Sequence, residues 1–150
     1  MTFSLSSGER AGVRGKDVPS ALLVLLLLTL LTLGTHAAQF TVSTAAEIST
    51  VASFAQPGDT LVMQDGVWNN ADVLFSASGT AARPITLRAA TLGRVHLTGL
   101  SRLRLSGNYL VVDGLTFTNG YRTSGDVIAF RENTTTLANH SRLTNCAVID

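Results

Sequence analysis

The feature that most constrains this chain is a series of very short apolar runs that begins after Gly58. Most runs alternate apolar and polar residues with a period of two, and Gly, Asn, Asp or Ser separates each run from the next. Such a pattern of short strands and turns is typical of a β-sandwich, a β-barrel or a β-solenoid. The runs lie at 61–63, 67–68, 73–75, 85–87, 95–97, 103–105, 110–112, 115–117, 127–130 and 146–149.

Recurring phrases favour the solenoid among these three folds. Leu-Thr-Gly stands at 97–99, Leu-Ser-Gly at 105–107, Phe-Thr-Asn at 117–119 and Leu-Thr-Asn at 143–145. Their spacing is irregular, so we expect a loop after Gly120. Before the first run, Thr44 and Glu47 have capping-box form, and Pro57-Gly58 stops the helix that they start. A helix at about 44–55 would close the open end of a solenoid, where atypical capping units are expected.

The dipeptide Asp113-Gly114 splits two apolar runs and allows two interpretations. Asp-Gly between strands usually marks a hairpin tip. In a parallel solenoid it is instead a corner between two strands of one coil, with Gly114 supplying the backbone freedom. Asn119 and Asn145 would then sit at equivalent corners. Four residues are expected to point inward around this corner: Leu110, Val112, Leu115 and Phe117.

Residues 1–38 have the layout of a signal peptide. Arg10, Arg14 and Lys16 precede the apolar run at 21–33, and small residues follow it, so we expect cleavage after Ala37 or Ala38. A membrane anchor is the competing interpretation, but the run is shorter than the roughly 20 residues that span a bilayer. The sequence therefore predicts a secreted or periplasmic domain at 39–150, with no stable membrane anchor.

Without this leader the chain is close to neutral, with eight arginines and eight acidic residues. The balance gives no basic excess, which argues against nucleic acid as a partner. The one cysteine, Cys146, cannot form an internal disulfide, and its strand-like flanks predict a small buried residue. Asn133 and Asn139 begin glycosylation sequons, which matter only in a eukaryotic secretory pathway.

Four stretches together resemble a known family. They are GDTLVMQDGVW at 58–68, GTAARPITLRAAT at 79–91, LTGLSRLRLSGNYLVVDGLTFTNGY at 97–121 and LANHSRLTNCAVID at 137–150. In this order and spacing they are similar to the N-terminal part of the chondroitinase B-like polysaccharide lyases, polysaccharide lyase family six. That family includes alginate lyases and a dermatan sulfate lyase.

The resemblance implies a right-handed parallel β-helix with a helical N-terminal cap, and secretion to an acidic polysaccharide such as alginate or a glycosaminoglycan. It also implies β-elimination, in which a base removes the C5 proton of a uronic acid and the 4-linked sugar leaves. The carboxylate must be neutralised before that proton can leave. In the family calcium does so, a lysine is the base and an arginine assists.

The chain departs from this pattern in its chemical groups. Residues 39–150 contain no lysine, and Glu132 is the only acid between Asp126 and Asp150. No catalytic or metal-binding residue is therefore assigned. The chain also ends on Val148-Ile149-Asp150, in what reads as the middle of a strand, which suggests a truncated piece of a longer lyase. We expect this fragment to be inactive by itself.

Arg131 and His140 are the only substrate-binding candidates, and both are weak. Cationic side chains bind acidic polysaccharides, but Arg131 follows a strand end and His140 lies in a polar loop. Arg102 and Arg104 alternate with leucines and should point outward, as solvated charges or part of a sugar-binding face. Tyr109 and Tyr121 could serve as lyase bases, but Tyr109 is expected to pack at the start of a strand. Trp68 could stack on a sugar, but a single aromatic residue near the cap is more often part of the core.

Two other function classes stay open. A non-catalytic carbohydrate-binding or surface solenoid would bind acidic glycan without cleaving it. A β-helix glycoside hydrolase would need two carboxylates at matched separation. The acids Asp113, Asp126 and Asp150 are too scattered to support a hydrolase, and the turn alone explains Asp113.

Overall fold

The computed structural model of the protein describes residues 36–149. The predicted leader falls almost wholly outside these residues; only its last three positions, 36–38, are described, and they precede the first strand without regular structure. Within the described residues, no helix is both long and apolar enough to cross a membrane.

One helix and thirteen strands make up the described chain. The helix is α1, Ala45–Phe54. The strands are β1 Gln39–Val42, β2 Thr60–Met63, β3 Gly66–Asn69, β4 Asp72–Ser78, β5 Ile85–Ala89, β6 Val95–Gly99, β7 Arg102–Asn108, β8 Leu110–Asp113, β9 Leu115–Gly120, β10 Ile128–Ala129, β11 Ala138–Asn139, β12 Arg142–Thr144 and β13 Ala147–Val148.

The strands form three parallel sheets, and every pairing between them is parallel. Sheet A has the order β1-β2-β5-β8-β12, and sheet B has the order β13-β9-β6-β3. In sheet C, β7 pairs with β4 on one side and with β10 and β11 on the other. The chain therefore passes through sheets A, B and C in turn for about three coils: the first is β2 to β4, the second β5 to β7 and the third β8 to β11. This order confirms the predicted parallel β-helix and excludes the sandwich and the barrel.

Side chains at matching positions of successive coils stack into a continuous core. In sheet A, Leu61, Leu87 and Val112 are paired in register and are wholly buried. In sheet B, Trp68, Leu97 and Phe117 form the equivalent column. Successive side chains of a strand point to opposite faces of the sheet. Every second residue of each strand therefore joins the core, and the residues between them point outward. Burial of this apolar surface is the main term that stabilises the fold.

The Asp113-Gly114 dipeptide is a corner and not a hairpin tip. The strand β8 before it pairs with β5 and β12, whereas β9 after it pairs with β6 and β13. Gly114 has φ +80°, a conformation that glycine adopts without steric cost. The four residues expected to point inward are at most 3% exposed: Leu110, Val112, Leu115 and Phe117.

The two asparagines do not occupy equivalent corners, contrary to the prediction. Asn145 stands one coil above Gly114, at the corner between sheets A and B, and its amide donates to Asp113 Oδ1 at 2.7 Å. Asn119 lies in β9 where the register with β6 shifts, near the corner between sheets B and C. What the two residues share is a left-handed backbone, with φ 50° in each, which asparagine tolerates better than most residues.

The predicted helix is confirmed within a residue at each end, and it caps the first coil. Thr44 is the N-cap and accepts from the Glu47 N–H at 3.2 Å, while Glu47 Oε2 accepts from the Ser43 N–H at 2.7 Å. The first bond satisfies a donor that the helix start leaves free, and the second fixes the residue that precedes the N-cap. Ile48 and Ala52 are buried in the core above the first coil, where sheet C has no earlier strand than β4.

Sheet C is interrupted in the third coil. The expected loop after Gly120 occupies 121–127, and the predicted run at 127–130 keeps only two strand residues, those of β10. The chain then leaves the sheet through a short excursion at 130–137 and returns as β11. An isolated antiparallel bridge between Arg131 and Leu137 closes the excursion at its base.

Candidate functional site

The outer face of sheet C carries the main cluster of charged side chains that contact one another in residues 36–149. Leu103 and Leu105 of β7 are wholly buried, so Arg102 and Arg104 point outward, as their alternation predicts. Arg102 pairs in register with Asp72 of β4, its Nε lies 2.7 Å from Asp72 Oδ1, and its Nη2 also contacts the carboxylate. Arg104 reaches the same carboxylate through Nε and Nη2, each at 3.2 Å from an oxygen.

This carboxylate is held between two guanidinium groups. The hydrogen bond from Arg102 is the main cause that lowers the pKa of Asp72 below its usual value, with the charge of Arg104 adding to it against partial burial. The same bond raises the pKa of Arg102. The cluster therefore stays ionised at neutral pH, with one net positive charge and side chains that are 23–46% exposed.

The excursion 130–137 packs over the neighbouring part of β7. Arg104 Nη1 donates to the Glu132 carbonyl oxygen at 3.3 Å. Ser106 is wholly buried beneath this segment, and its hydroxyl lies 2.7 Å from Ser76 Oγ and 3.4 Å from Glu132 Oε2. Sheet C thus has a covered outer surface here instead of an open one.

A groove of about 470 Å³ runs between the end of α1, the outer face of sheet C and this excursion. Its lining is rich in hydroxyl and amide groups, and its lining residues include no acid, base or histidine. The polar side chains that line it are Ser53, Gln56, Ser76, Ser78, Ser106 and Thr136. Groups of this kind can hydrogen-bond a sugar, but they cannot move a proton at neutral pH.

The two substrate-binding candidates lie on different parts of the surface. Arg131 stands at the base of the excursion, where Nη2 is 3.1 Å from Asp126 Oδ2 and both side chains are more than half exposed. His140 lies at the turn between β11 and β12, and its ring stacks on Tyr109 with centroids 4.7 Å apart. No contact between Arg131 and His140 is present in the described chain, so the structure does not join them into one site.

The remaining aromatic residues and the cysteine have identifiable environments. Trp68 is 8% exposed and donates its indole N–H to the Gln64 carbonyl, which confirms that it is a core residue. Tyr121 is 62% exposed. Cys146 is half-buried against the core, with Sγ 3.2 Å from the Thr144 carbonyl oxygen, so the predicted burial is only partly met.

The residues 36–149 do not fit the calcium site that the family resemblance implies. They hold no group of three or more His, Cys, Asp or Glu side chains arranged for a metal ion. The acids also have partners already: Asp72 binds two arginines, and Asp113 Oδ1 accepts from Thr144 and Asn145. Calcium requires six to eight oxygen ligands converging on one point, which this arrangement does not provide.

Comparison with known proteins identifies the family. The family model for chondroitinase B matches residues 42–150. A search of curated protein sequences gives no match. Among solved structures, the PL6 family alginate lyase AlyGC superposes with a TM-score of 0.70 at 45% identity, over 74% of this chain and 15% of that protein.

Two further lyase structures agree with this assignment. The PL6 family polysaccharide lyase Pedsa3628 from Pseudopedobacter saltans gives a TM-score of 0.64 at 36% identity, covering 73% of this chain and 24% of that one. A mannuronic acid specific family 6 lyase from human gut microbiota gives 0.64 at 28% identity, covering 73% and 26%. This chain thus spans between about one seventh and one quarter of these relatives. Its fold and its match over residues 42–150 show that the chain belongs to the chondroitinase B-like polysaccharide lyases.

Proposed function

We propose that this chain is part of a secreted lyase that cleaves a uronic-acid polymer, namely alginate, by β-elimination. The observation that carries the proposal is the 45% identity to the alginate lyase AlyGC across 74% of the chain. The family 6 lyase from human gut microbiota is specific for mannuronic acid, which is one of the sugars of alginate. Both relatives support alginate over a glycosaminoglycan as the polymer.

In this proposal the coils of residues 39–149 build and cap the solenoid instead of performing the chemistry. Elimination needs a base at the C5 proton and a positive group at the uronate carboxylate. The one lysine of the sequence is Lys16, in the predicted leader, and the acids of the described coils are engaged in structural contacts. The family's lysine base and calcium ligands would therefore stand on coils that this sequence does not contain.

The first experiment asks whether the 150-residue chain cleaves polymer. Purified protein is incubated with alginate, and the new C4–C5 double bond is followed by its ultraviolet absorbance. We expect no turnover on alginate or on dermatan sulfate. Measurable elimination by this chain alone would contradict the proposal that these coils carry no catalytic groups.

A chimera tests whether these coils can serve as the scaffold of an alginate lyase. Residues 42–149 replace the matching coils of AlyGC, and lyase activity is measured on alginate. We expect activity within about tenfold of the parent, because the exchanged coils supply scaffold and not catalytic groups. The matched control carries the same exchange with Phe75→Asp, which puts a charge into a wholly buried position and should abolish folding and activity together.

The hydroxyl-rich groove favours a second candidate, a non-catalytic module that binds acidic polysaccharide. Affinity electrophoresis through a gel containing alginate measures whether this chain binds the polymer. Retention of the chain together with an inactive AlyGC chimera would favour the binding module over the lyase. Arg131→Ala and His140→Ala test the two proposed substrate contacts, with Arg94→Ala as a control because Arg94 is exposed in a different turn. Equal migration of the parent and the three variants would show that neither Arg131 nor His140 contacts the polymer.

We also propose that residues 1–37 or 1–38 direct export and are removed, so that the protein acts outside the cytoplasm. The basic residues, the apolar run and the small residues that follow it support this proposal.

A further inference from the structure

The start of the folded region contains a carboxylate that faces one particular backbone nitrogen. Asp59 is 4% exposed, and its Oδ1 lies 2.8 Å from the backbone N of Ala38. Its other oxygen, Oδ2, accepts from the Gln56 N–H, also at 2.8 Å. The carboxylate is thus held from both sides by backbone N–H groups, one of which belongs to a predicted cleavage position.

The position of Ala38 is fixed independently of this contact. Its carbonyl oxygen accepts from the Thr60 N–H at 2.9 Å, and β1 begins at the next residue and pairs in register with β2. Asp59 is equally fixed, because its own N–H donates to Gln56 and its carbonyl accepts from Thr86. Neither partner therefore has to move for the contact between Asp59 and Ala38 to persist.

We propose that the leader is cleaved between Ala37 and Ala38, and that the freed α-ammonium group of Ala38 forms a buried ion pair with Asp59. The inference rests on the proposed export. A leader peptidase would hydrolyse the Ala37–Ala38 peptide bond with one water molecule, leaving the new carboxylate on Ala37 and the amino group on Ala38. At neutral pH that amino group is largely protonated.

The free energy of the contact favours a charged terminus. A nearly buried carboxylate is costly unless it is hydrogen-bonded and balanced by positive charge, and an ammonium group at the place of the neutral N–H adds a coulombic attraction to the bond already present. Cleavage converts one of the two donors into a cation without changing its position. The guanidinium of Arg83 packs against Gly58, one residue before Asp59, and is a second positive group at this turn.

The geometry also discriminates between the two predicted cleavage positions. Cleavage after Ala38 would leave Gln39 as the first residue and would remove both the bond to Asp59 and the bond to Thr60. Cleavage after Ala37 keeps both. The sequence agrees, because Thr35 and Ala37 then occupy the small-residue positions three and one before the cut, whereas the alternative puts His36 at the third. Residues 36–38 are exposed and precede the first strand, so the cut would remove no part of the sheets.

The first test is the N-terminal sequence of the full 150-residue chain after expression in a secreting host. The expected first residue is Ala38. A product that begins at Gln39 or elsewhere overturns this inference but leaves export intact, whereas a product that keeps its leader overturns the proposed export as well.

The second test measures the α-amino group itself. The processed protein is labelled at neutral pH with an amine-selective acylating reagent, and the rate at Ala38 is read by mass spectrometry; the sequence beyond the leader has no lysine to compete. A raised pKa of one unit slows the reaction about tenfold, so we expect Asp59→Asn to accelerate labelling by about that factor. The control is Asp65→Asn, since Asp65 also accepts a backbone N–H, from Thr91 at 2.8 Å, but lies away from the terminus. Equal labelling rates in the parent and in Asp59→Asn, with both proteins folded, would overturn the ion pair.

Discussion

Asp72 and Arg102 face each other across the pairing of β4 with β7, so that one ion pair joins the outer surfaces of the first and second coils. Arg104, two residues further along β7, reaches the same carboxylate. An acid shared by two arginines of one strand fixes both guanidinium groups against the sheet and leaves a single net positive charge. This surface is therefore less cationic than its two arginines alone suggest.

The first prediction concerns acid sensitivity. The pKa of Asp72 is lowered, mainly by the hydrogen bond from Arg102, so its contribution is fully present above the unfolded-state value near 3.8 and is lost as the pH falls through the folded-state value. Because the side chains are partly exposed, we expect Asp72→Asn to lower the free energy of unfolding by less than about 1 kcal/mol at pH 7. The difference measured by urea unfolding should be largest at pH 7 and should shrink as the pH falls below 3.8.

The comparison variant is Asp126→Asn, because the pair between Asp126 and Arg131 is more than half exposed on both sides. It should change stability less than Asp72→Asn does, and added salt should reduce both effects. An Asp72→Asn deficit that persists unchanged at low pH would contradict the electrostatic origin.

The second prediction concerns Gly107 in β7. Its φ is +105°, and a Cβ added there would collide with the backbone oxygen of Ala77 in the neighbouring strand β4. Gly107→Ala therefore forces two strands apart and should cost at least about 2 kcal/mol more than a strained backbone alone. The matched control is Gly93→Ala, since Gly93 has φ +73° but open space around it. Similar midpoints in urea for the two variants would show that backbone strain, and not the collision, dominates.

The alternation of single strands could be predicted from the sequence, whereas contacts between coils could not. Period-two patterns indicate that Leu103 faces inward and Arg102 outward, because that depends on neighbours in the chain. The partner of Arg102 depends on the register of β4 against β7, thirty residues apart, which the lengths of the intervening corners set. A shift of one residue between the two strands would put Ala71 or Val73, and not Asp72, opposite Arg102.

The conformation and position of the corners also could not be predicted from local sequence alone. Asp113-Gly114 has one local meaning in a hairpin and another in a solenoid, and the choice follows from the neighbouring coils. Asn119 and Asn145 stand in similar local phrases and share a left-handed φ, yet they lie at different corners. Arg131 and His140 are site candidates by charge and residue type alone, and these properties carry no information on the distance between the two side chains.

The third prediction concerns the N-cap of α1. Thr44 accepts the Glu47 N–H, and replacing such a cap by alanine typically costs about 1 kcal/mol. Thr44→Ala should therefore lower the melting temperature by several degrees, since the helix covers the core above the first coil. Thr50→Ala is the control in the same helix: Thr50 is exposed, and alanine is the better helix former, so stability should stay equal or rise. A loss of equal size at both positions would contradict the capping role.

The fourth prediction separates two contributions at Asn145. This residue has φ 50°, and its amide donates to Asp113 Oδ1 at 2.7 Å. Asn145→Gly removes the hydrogen bond but accepts the left-handed backbone, whereas Asn145→Ala removes the bond and adds steric strain of about 1–2 kcal/mol. Since Asn145 is exposed, water replaces much of the lost hydrogen bond. We therefore expect Asn145→Ala to lower the urea midpoint clearly and Asn145→Gly to lower it little. Equal losses in the two variants would show instead that the bond to Asp113 is what stabilises this corner.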